Sequence, residues 1–206
     1  MCGRYLVDDE VYAEVWEMLS APTGEVGLTL RPQPPALAVK GEVYPTNIAP
    51  IIACDGPAAI KWGFPHWKGA GVIINARAET AGEKSMFRKP LLERRCVVPS
   101  CGFYEWSHGG GGKKKDKYLL RLPGERLLFM AGMINSFRDA SGCDYSAFVI
   151  LTTAANGSVA QLHDRMPVIL APDERDRWIC DGGFVDHALR RPGPQLELSS
   201  TRDDAL

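Results

Sequence analysis

From residue 48 to residue 153 the chain is a succession of short apolar runs, each closed by turn residues: "IAPIIA", "AAIKWG", "GVIINA", "RRCVVPSCGFYEW", "KYLLRL", "RLLFMAGMI" and "YSAFVILTT". Runs this short, rich in β-branched and aromatic residues and punctuated by Gly, Pro, Asp and Ser, predict strands over 48–54, 58–63, 71–76, 94–106, 117–122, 126–134 and 145–153. Helical pieces are expected around 79–93, 156–162 and 173–180, the last opened by Pro172 and Asp173. Ahead of the strands, Asp8 or Asp9 can cap a helix on which Val11, Tyr12, Val15, Trp16 and Leu19 recur at helical spacing. The Pro- and Gly-rich stretch 21–50 reads as loop with short extended pieces. No internal repeat and no linker interrupts this order. The expectation is therefore one α+β domain over residues 1–206, built on a curved mixed or antiparallel, barrel-like sheet with a few peripheral helices.

Composition bears on what such a domain can do. With 206 residues, 45% of them hydrophobic and 24% charged, the chain is long enough for a buried core and too ordered in composition for a disordered segment. No apolar run approaches the roughly 20 residues a membrane helix needs. The N-terminus mixes charge throughout and does not read as a signal peptide, so a cytoplasmic protein is expected. The six cysteines are then reduced, scattered and without a C-x-x-C pair. Cys96, Cys101 and His108 match no zinc spacing, so no metal is implied. A formal net charge of −1 gives no global pull toward nucleic acid, and any such role needs a local cluster of arginines. The lysines of "HGGGGKKKDK" (108–117) lack the Ser or Thr and the following helix of a phosphate loop, and read as a flexible turn between strands.

Four segments stand out. "MCGRY" places Cys2 directly behind Met1. "NARAET" (75–80) follows an apolar strand and sets Asn75 and Arg77 at its end. "GFYEW" (102–106) holds Glu105 between Tyr104 and Trp106. "HDRMP" (163–167) follows "ANGSVAQL" and precedes the strand-like "VIL". Singly each has an ordinary reading: a packed thiol, a turn former, a strand Glu turned to solvent, a loop His. Together a thiol, an amide, a carboxyl and an imidazole are the groups that chemistry at a carbonyl carbon requires: nucleophile, oxygen ligand and proton carriers.

"MCGRY", "TNIAP" (46–50), "KWGF" (61–64), "INARAET" (74–80), "RRCVVPSCGFYEW" and "HDRMPVIL" (163–170) resemble the SOS response-associated peptidase family, in family order. "LELSSTRDDAL" (196–206) resembles its closing strand, so the resemblance spans nearly the whole chain. That family includes proteins that shield abasic sites in DNA. The resemblance implies that cleavage of the bond after Met1, by the protein itself or otherwise, leaves Cys2 with both a free α-amine and a thiol. Their ordinary pKa values, about 7.7–8.0 and 8.5, leave a useful nucleophilic fraction of each at neutral pH. The amine adds to the aldehyde of a ring-opened abasic deoxyribose, and the thiol closes a thiazolidine.

By the same resemblance Asn75 binds the sugar oxygen or incoming carbonyl and holds the N-terminus. Glu105, if buried, shuttles protons with a raised pKa, and His163 assists ring opening and imine chemistry. Arg4, Arg77 and Arg165 fall where the family holds phosphates. Trp67 and Trp106, with Phe64 or Pro50, are candidates for base stacking, and Asn47 of "TNIAP" joins the DNA-facing set. Two departures from the family pattern appear: "WGFPHW" is one residue short, which shifts Trp67, and Ser85 stands where many members carry arginine, leaving Lys84 or Arg88 to replace that contact. The implied partner is single-stranded DNA with abasic sites, bound by a monomer without metal or organic cofactor. Two other readings stay open: an N-terminal-nucleophile cysteine amidase or peptidase on external substrates, and a non-catalytic reader of modified DNA.

Overall fold

The structure is a computed structural model that describes residues 2–9, 13, 41–66, 69, 71–107 and 115–201. The helix expected after Asp8 and the loop over 21–40 lie outside the described residues. In chain order the strands are β1 (Tyr5–Val7), β2 (Gly41–Val43), β3 (Ile48–Ala53), β4 (Gly56–Trp62), β5 (Phe64–Pro65), β6 (Val72–Ile73), β7 (Asn75–Arg77), β8 (Arg95–Ser100) and β9 (Gly102–Trp106). They continue with β10 (Lys117–Arg121), β11 (Leu128–Arg138), β12 (Asp144–Ala154), β13 (Arg165–Pro167), β14 (Ile169–Leu170) and β15 (Glu197–Ser200). Short helices α1 (Ala78–Ala81), α2 (Ser85–Glu93), α3 (Arg175–Cys180) and α4 (Val185–Arg190) lie between them.

Two sheets carry the fold. In the larger one the order β12–β4–β3–β8–β11 closes on itself, because β11 also pairs with β12 along seven residues from Gly132↔Ile150 to Arg138↔Asp144. All neighbours in this ring are antiparallel except β12 and β4. Closure removes the edges that an open sheet of this length would expose. The smaller sheet has the order β15–β10–β9–β1–β2. The expected α+β class and barrel-like sheet are thus present.

The two sheets meet through aromatic packing. Trp62 and Phe148, opposite each other in the parallel β4–β12 pair, are both fully buried and stack with ring centroids 6.3 Å apart. Tyr5 of β1 meets the Trp62 ring edge-on at 5.1 Å, a favoured aromatic geometry. The N-terminal strand is thereby pinned to the barrel wall, and this positions Cys2. Arg95 at the start of β8 is 5% exposed, and the hydrogen bonds of its guanidinium go to backbone carbonyls. It donates to the Leu91 and Leu92 carbonyls of α2 and to the Trp178 and Ile179 carbonyls of α3. One guanidinium so satisfies the orphan C-terminal acceptors of two helices.

Several sequence expectations shift. The run 94–106 is two strands, not one: the chain turns at Cys101 and leaves the barrel for the smaller sheet. Gly102 makes that corner at φ +153°, and a Cβ there would stand 2.4 Å from the Leu120 carbonyl oxygen. The helix expected over 79–93 is broken at Gly82–Lys84 into α1 and α2. Residues 157–162 form consecutive turns instead of a helix, opened by Asn156 Oδ1, which accepts from both the amide and the hydroxyl of Ser158. Strands β1 and β2 and helix α4 were not anticipated. Gly102→Ala is expected to destabilise the protein by about 2–4 kcal/mol, read from the denaturant midpoint, since the new methyl meets backbone at a strained φ.

Candidate functional site

The site forms where the start of β1, the start of β7 and the end of β9 converge. In the β1–β9 pair the Tyr104 amide donates to the Arg4 carbonyl at 2.9 Å, which brings the residues preceding β1 alongside the end of β9. Asn75 is fixed on β7 by parallel pairing with Ile150 of β12. Its Nδ2 donates to the Cys2 carbonyl at 2.9 Å, so barrel and N-terminus are tied by one side chain. The Asn75 Oδ1 atom is buried and accepts no hydrogen bond among the described residues.

Cys2 is fully buried and its thiol makes only a long contact, 3.8 Å, to the Arg4 carbonyl. Burial pushes the thiol far above its ordinary pKa, and the nearby Glu105 carboxylate adds to the effect. The thiol is therefore protonated at rest and needs a base to act as a nucleophile. Glu105, 4% exposed, has its own pKa raised, first by burial and further by the Asp164 carboxylate. The sequence expectation of a buried glutamate with raised pKa is met, against the strand-alternation reading that would have turned it to solvent. Tyr5 contributes an unanticipated group: its hydroxyl is buried without a hydrogen-bond partner, and its pKa is pushed up by burial and by the charge of Cys2.

His163 sits between the turns of 157–162 and β13. Its Nδ1 accepts the Arg165 amide at 2.9 Å, while the Asp164 carboxylate lies 2.8 Å from the same nitrogen. One nitrogen cannot accept from the amide and donate to Asp164 together, so the two contacts belong to alternative proton placements on the ring. Arg165, opposite Ala154 in the β12–β13 pair, holds Glu79 in a two-pronged ion pair with both contacts at 2.7 Å, and also donates to the Thr152 carbonyl. This pairing keeps Glu79 below the usual carboxylate range, chiefly through the hydrogen bond.

Arg4 is likewise engaged. Its guanidinium lies 4.1 Å from the Tyr44 ring centre and 5.0 Å from that of Trp106, and pairs with Glu42 at 3.2 Å. Glu42 also accepts from Lys117 and from the Tyr44 hydroxyl, and Lys117 sits 3.9 Å from the Tyr104 ring centre. Glu42 and Tyr44 escaped the sequence reading because 21–50 looked like loop, and Lys117 was read only as the start of a strand. The signal available was the spacing of Glu42 and Tyr44, two apart and therefore on one side of an extended segment.

The remaining expected residues scatter. Arg77 is exposed and makes no ion pair or hydrogen bond among the described residues, unlike Arg4 and Arg165. Lys84 and Arg88 are also exposed. Asn47 closes the turn after β2, accepting the Tyr44 amide at 2.8 Å on Oδ1. Pro50 is buried in β3, and Phe64 is fully buried against Phe87 and Phe137, so neither offers a ring face to solvent. Met1 and Trp67 lie outside the described residues. Among the described residues no three His, Cys, Asp or Glu side chains converge as metal ligands, and no helix is long and apolar enough to cross a membrane.

A closed barrel thus carries a buried cysteine at position 2, its carbonyl accepting from Asn75 and its thiol near a buried glutamate. The chain matches the family described as SOS response associated peptidase (SRAP) over residues 1–197 and belongs to it. It is 37% identical over 155 residues to the abasic site processing protein YoaM of Bacillus subtilis, covering 68% of each chain. Against the abasic site processing protein YedK of Escherichia coli it is 36% identical over 122 residues, 58% of this chain and 53% of YedK. Against the chicken protein HMCES, also an abasic site processing protein, identity is 35% over 149 residues, 58% of this chain and 44% of HMCES. A crystal structure of a Bacteroides thetaiotaomicron protein superposes with a TM-score of 0.80 at 24% identity over 98% of this chain and 93% of that one, a likeness of fold.

Burial raises the Glu42 carboxyl, but hydrogen bonds from Lys117 and Tyr44 and the charges of Lys117 and Arg4 outweigh it and hold it below the usual glutamate range. A depressed folded pKa means the unfolded chain binds more protons in acid. The stabilisation is complete above about pH 5 and is lost as pH falls through the folded value. Glu42→Gln should therefore flatten the loss of stability on acidification and lower the melting midpoint at neutral pH, measured by thermal unfolding across a pH series.

Proposed function

We propose that this chain is an abasic-site processing protein that captures the lesion covalently through Cys2. The carrying observation is the Asn75–Cys2 hydrogen bond beside the buried Glu105. A polar tether and a buried carboxyl have no packing purpose at the end of a chain; they suit a terminal residue that must be held while it reacts. Family membership and the likeness to the abasic site processing proteins YoaM, YedK and HMCES support abasic-site DNA as the substrate.

Hydrolysis of the Met1–Cys2 peptide bond consumes one water and frees the Cys2 α-amine; Glu105 and His163 are the proton carriers for this self-processing step. The amine then adds to the aldehyde carbon of the ring-opened deoxyribose, and loss of water gives an imine. Glu105, whose pKa is raised, gives up or takes the proton as each step requires. The Cys2 thiol transfers its proton to this carboxylate, its sulfur attacks the imine carbon, and as the C=N π bond breaks the proton passes from Glu105 to the nitrogen. Closure yields a five-membered thiazolidine in which nitrogen and sulfur share that carbon. Asn75 keeps the Cys2 carbonyl fixed throughout, with its open Oδ1 free to accept from the amine or the sugar. His163, able to hold its proton against Asp164, assists ring opening of the sugar.

Single-stranded DNA reaches this site along the surface that carries the exposed Arg77, unpaired among the described residues where Arg4 and Arg165 are paired. Trp106 and Tyr44, held apart by Arg4, offer aromatic faces for an adjacent base. Arg165 acts on DNA indirectly, by keeping Glu79 neutralised next to Arg77. The expected localisation follows the substrate, in the cytoplasm on DNA.

Mixing the protein with single-stranded DNA bearing one abasic site should give a heat-stable band of reduced mobility on a denaturing gel. Cys2→Ala should give none, and Cys2→Ser only a borohydride-trappable imine; absence of an adduct with the native protein overturns the reading. Intact mass should show Met1 removed. Arg77→Ala should weaken binding and reduce the magnitude of the salt slope by about 0.7, the contribution of one single-strand phosphate contact. Glu105→Gln should slow adduct formation by roughly 10²-fold with little change in affinity, and should remove a rate inflection lying above the ordinary glutamate pKa. An unchanged pH profile would take Glu105 out of the chemistry.

A further inference from the structure

Cys54 and Cys180 are 126 residues apart in the chain, yet their sulfurs lie 3.7 Å from each other. Cys54 opens the turn between β3 and β4, and Cys180 is the last residue of α3. Both are exposed, whereas Cys2, Cys96 and Cys101 are buried. Cys143 is the other exposed thiol, and it meets no second sulfur. Two elements on opposite sides of the chain's midpoint therefore deliver two accessible thiols to hydrogen-bond distance of each other. Nothing in the chemistry proposed for Cys2 uses them.

Their surroundings favour reaction. Cys54, with Asp55, Arg94, Arg95 and Ile179, borders a cavity of about 400 Å³ that a small oxidant can enter. The Arg95 side chain lines the same cavity, an electropositive neighbour of the pair. The hydrogen bond to Cys54 raises the pKa of Cys180, with burial, the charge of Cys54 and Asp176 adding to this.

We propose that Cys54 and Cys180 form a redox modification site, closed to an intramolecular disulfide by hydrogen peroxide. In the first step one thiolate attacks a peroxide oxygen, the O–O bond breaks, and a sulfenic acid forms with release of water. In the second step the neighbouring sulfur displaces hydroxide from that sulfenic acid, which leaves as a second water once protonated. The two thiols lose two hydrogens and two electrons in total, and the peroxide is reduced to two waters. A sulfur already at 3.7 Å intercepts the sulfenic acid before further oxidation. The bond ties the β3–β4 turn to the end of α3 and spends oxidant at the surface, away from the buried Cys2.

The test uses the full chain, fully reduced and then exposed to a small excess of hydrogen peroxide. Intact mass should fall by about 2 Da, the loss of two hydrogens, and thiols titratable after denaturation should drop from six by two. Peptide mapping should join the segments bearing Cys54 and Cys180, and dithiothreitol should reverse the change. Cys54→Ser and Cys180→Ser should each abolish the mass loss, while Cys143→Ser should retain it. Mass gains from sulfinic or sulfonic acid without the 2 Da loss, or a bridge mapped to other cysteines, would overturn the proposal.

Discussion

The eleven-residue strand Asp144–Ala154 is the member on which the others depend. It pairs antiparallel with β11 and β13 and parallel with β4 and β7. Its pairing with β11 closes the barrel. Its pairing with β4 sets the Phe148–Trp62 stack against which Tyr5 packs. Its pairing with β7 places Asn75, and that with β13 places Arg165. A strand with four partners has no freedom of register, because a slip of one residue would turn its whole buried set outward. The precision of the site is inherited from that constraint.

The site itself is held by a small number of polar contacts in an apolar setting. Asn75 joins barrel to N-terminus through a single hydrogen bond, and burial raises the cost of ionising both Cys2 and Glu105, with Glu105 adding to that of Cys2. Such an arrangement costs stability, since buried carboxyl and thiol groups gain little from being where they are. It places two groups whose ionisation burial disfavours side by side, next to an Asn75 acceptor atom with no partner among the described residues. Around this centre the cations divide by role. Arg4 and Arg165 are neutralised by Glu42 and Glu79 and act as scaffold, whereas Arg77 stays uncommitted at the surface.

Much of this was legible in the chain. The apolar runs over 48–153 foretold seven strands, and each contains or overlaps an observed one, because alternation and β-branching are local signals. The functional segments were legible as well, since Cys2, Asn75, Glu105 and His163 are unusual residues in otherwise regular surroundings. The structure brings Asn75 onto Cys2 and Glu105 next to it. Less visible was the corner at Gly102, where the reason for a glycine lies on β10, in the Leu120 carbonyl. The helix expected over 156–162 failed because Asn156 and Ser158 offered local bonds that outcompeted a helix too short to gain from packing. Strand β2 was hidden in a Pro- and Gly-rich stretch, and with it the partner that occupies Arg4.

By itself the sequence determined the class of the fold, the residue types at the reactive end and the membership of the family, since these rest on pattern, identity and order along the chain. Tertiary structure alone decided which charges are available and which thiols are neighbours. Arg4, Arg77 and Arg165 look alike as letters, but only packing shows that two are paired and one is not. Cys54 and Cys180 read as unrelated cysteines until the barrel and α3 bring their sulfurs together. Electrostatic state and cross-chain proximity are set by distance in space, and no spacing along the chain encodes them.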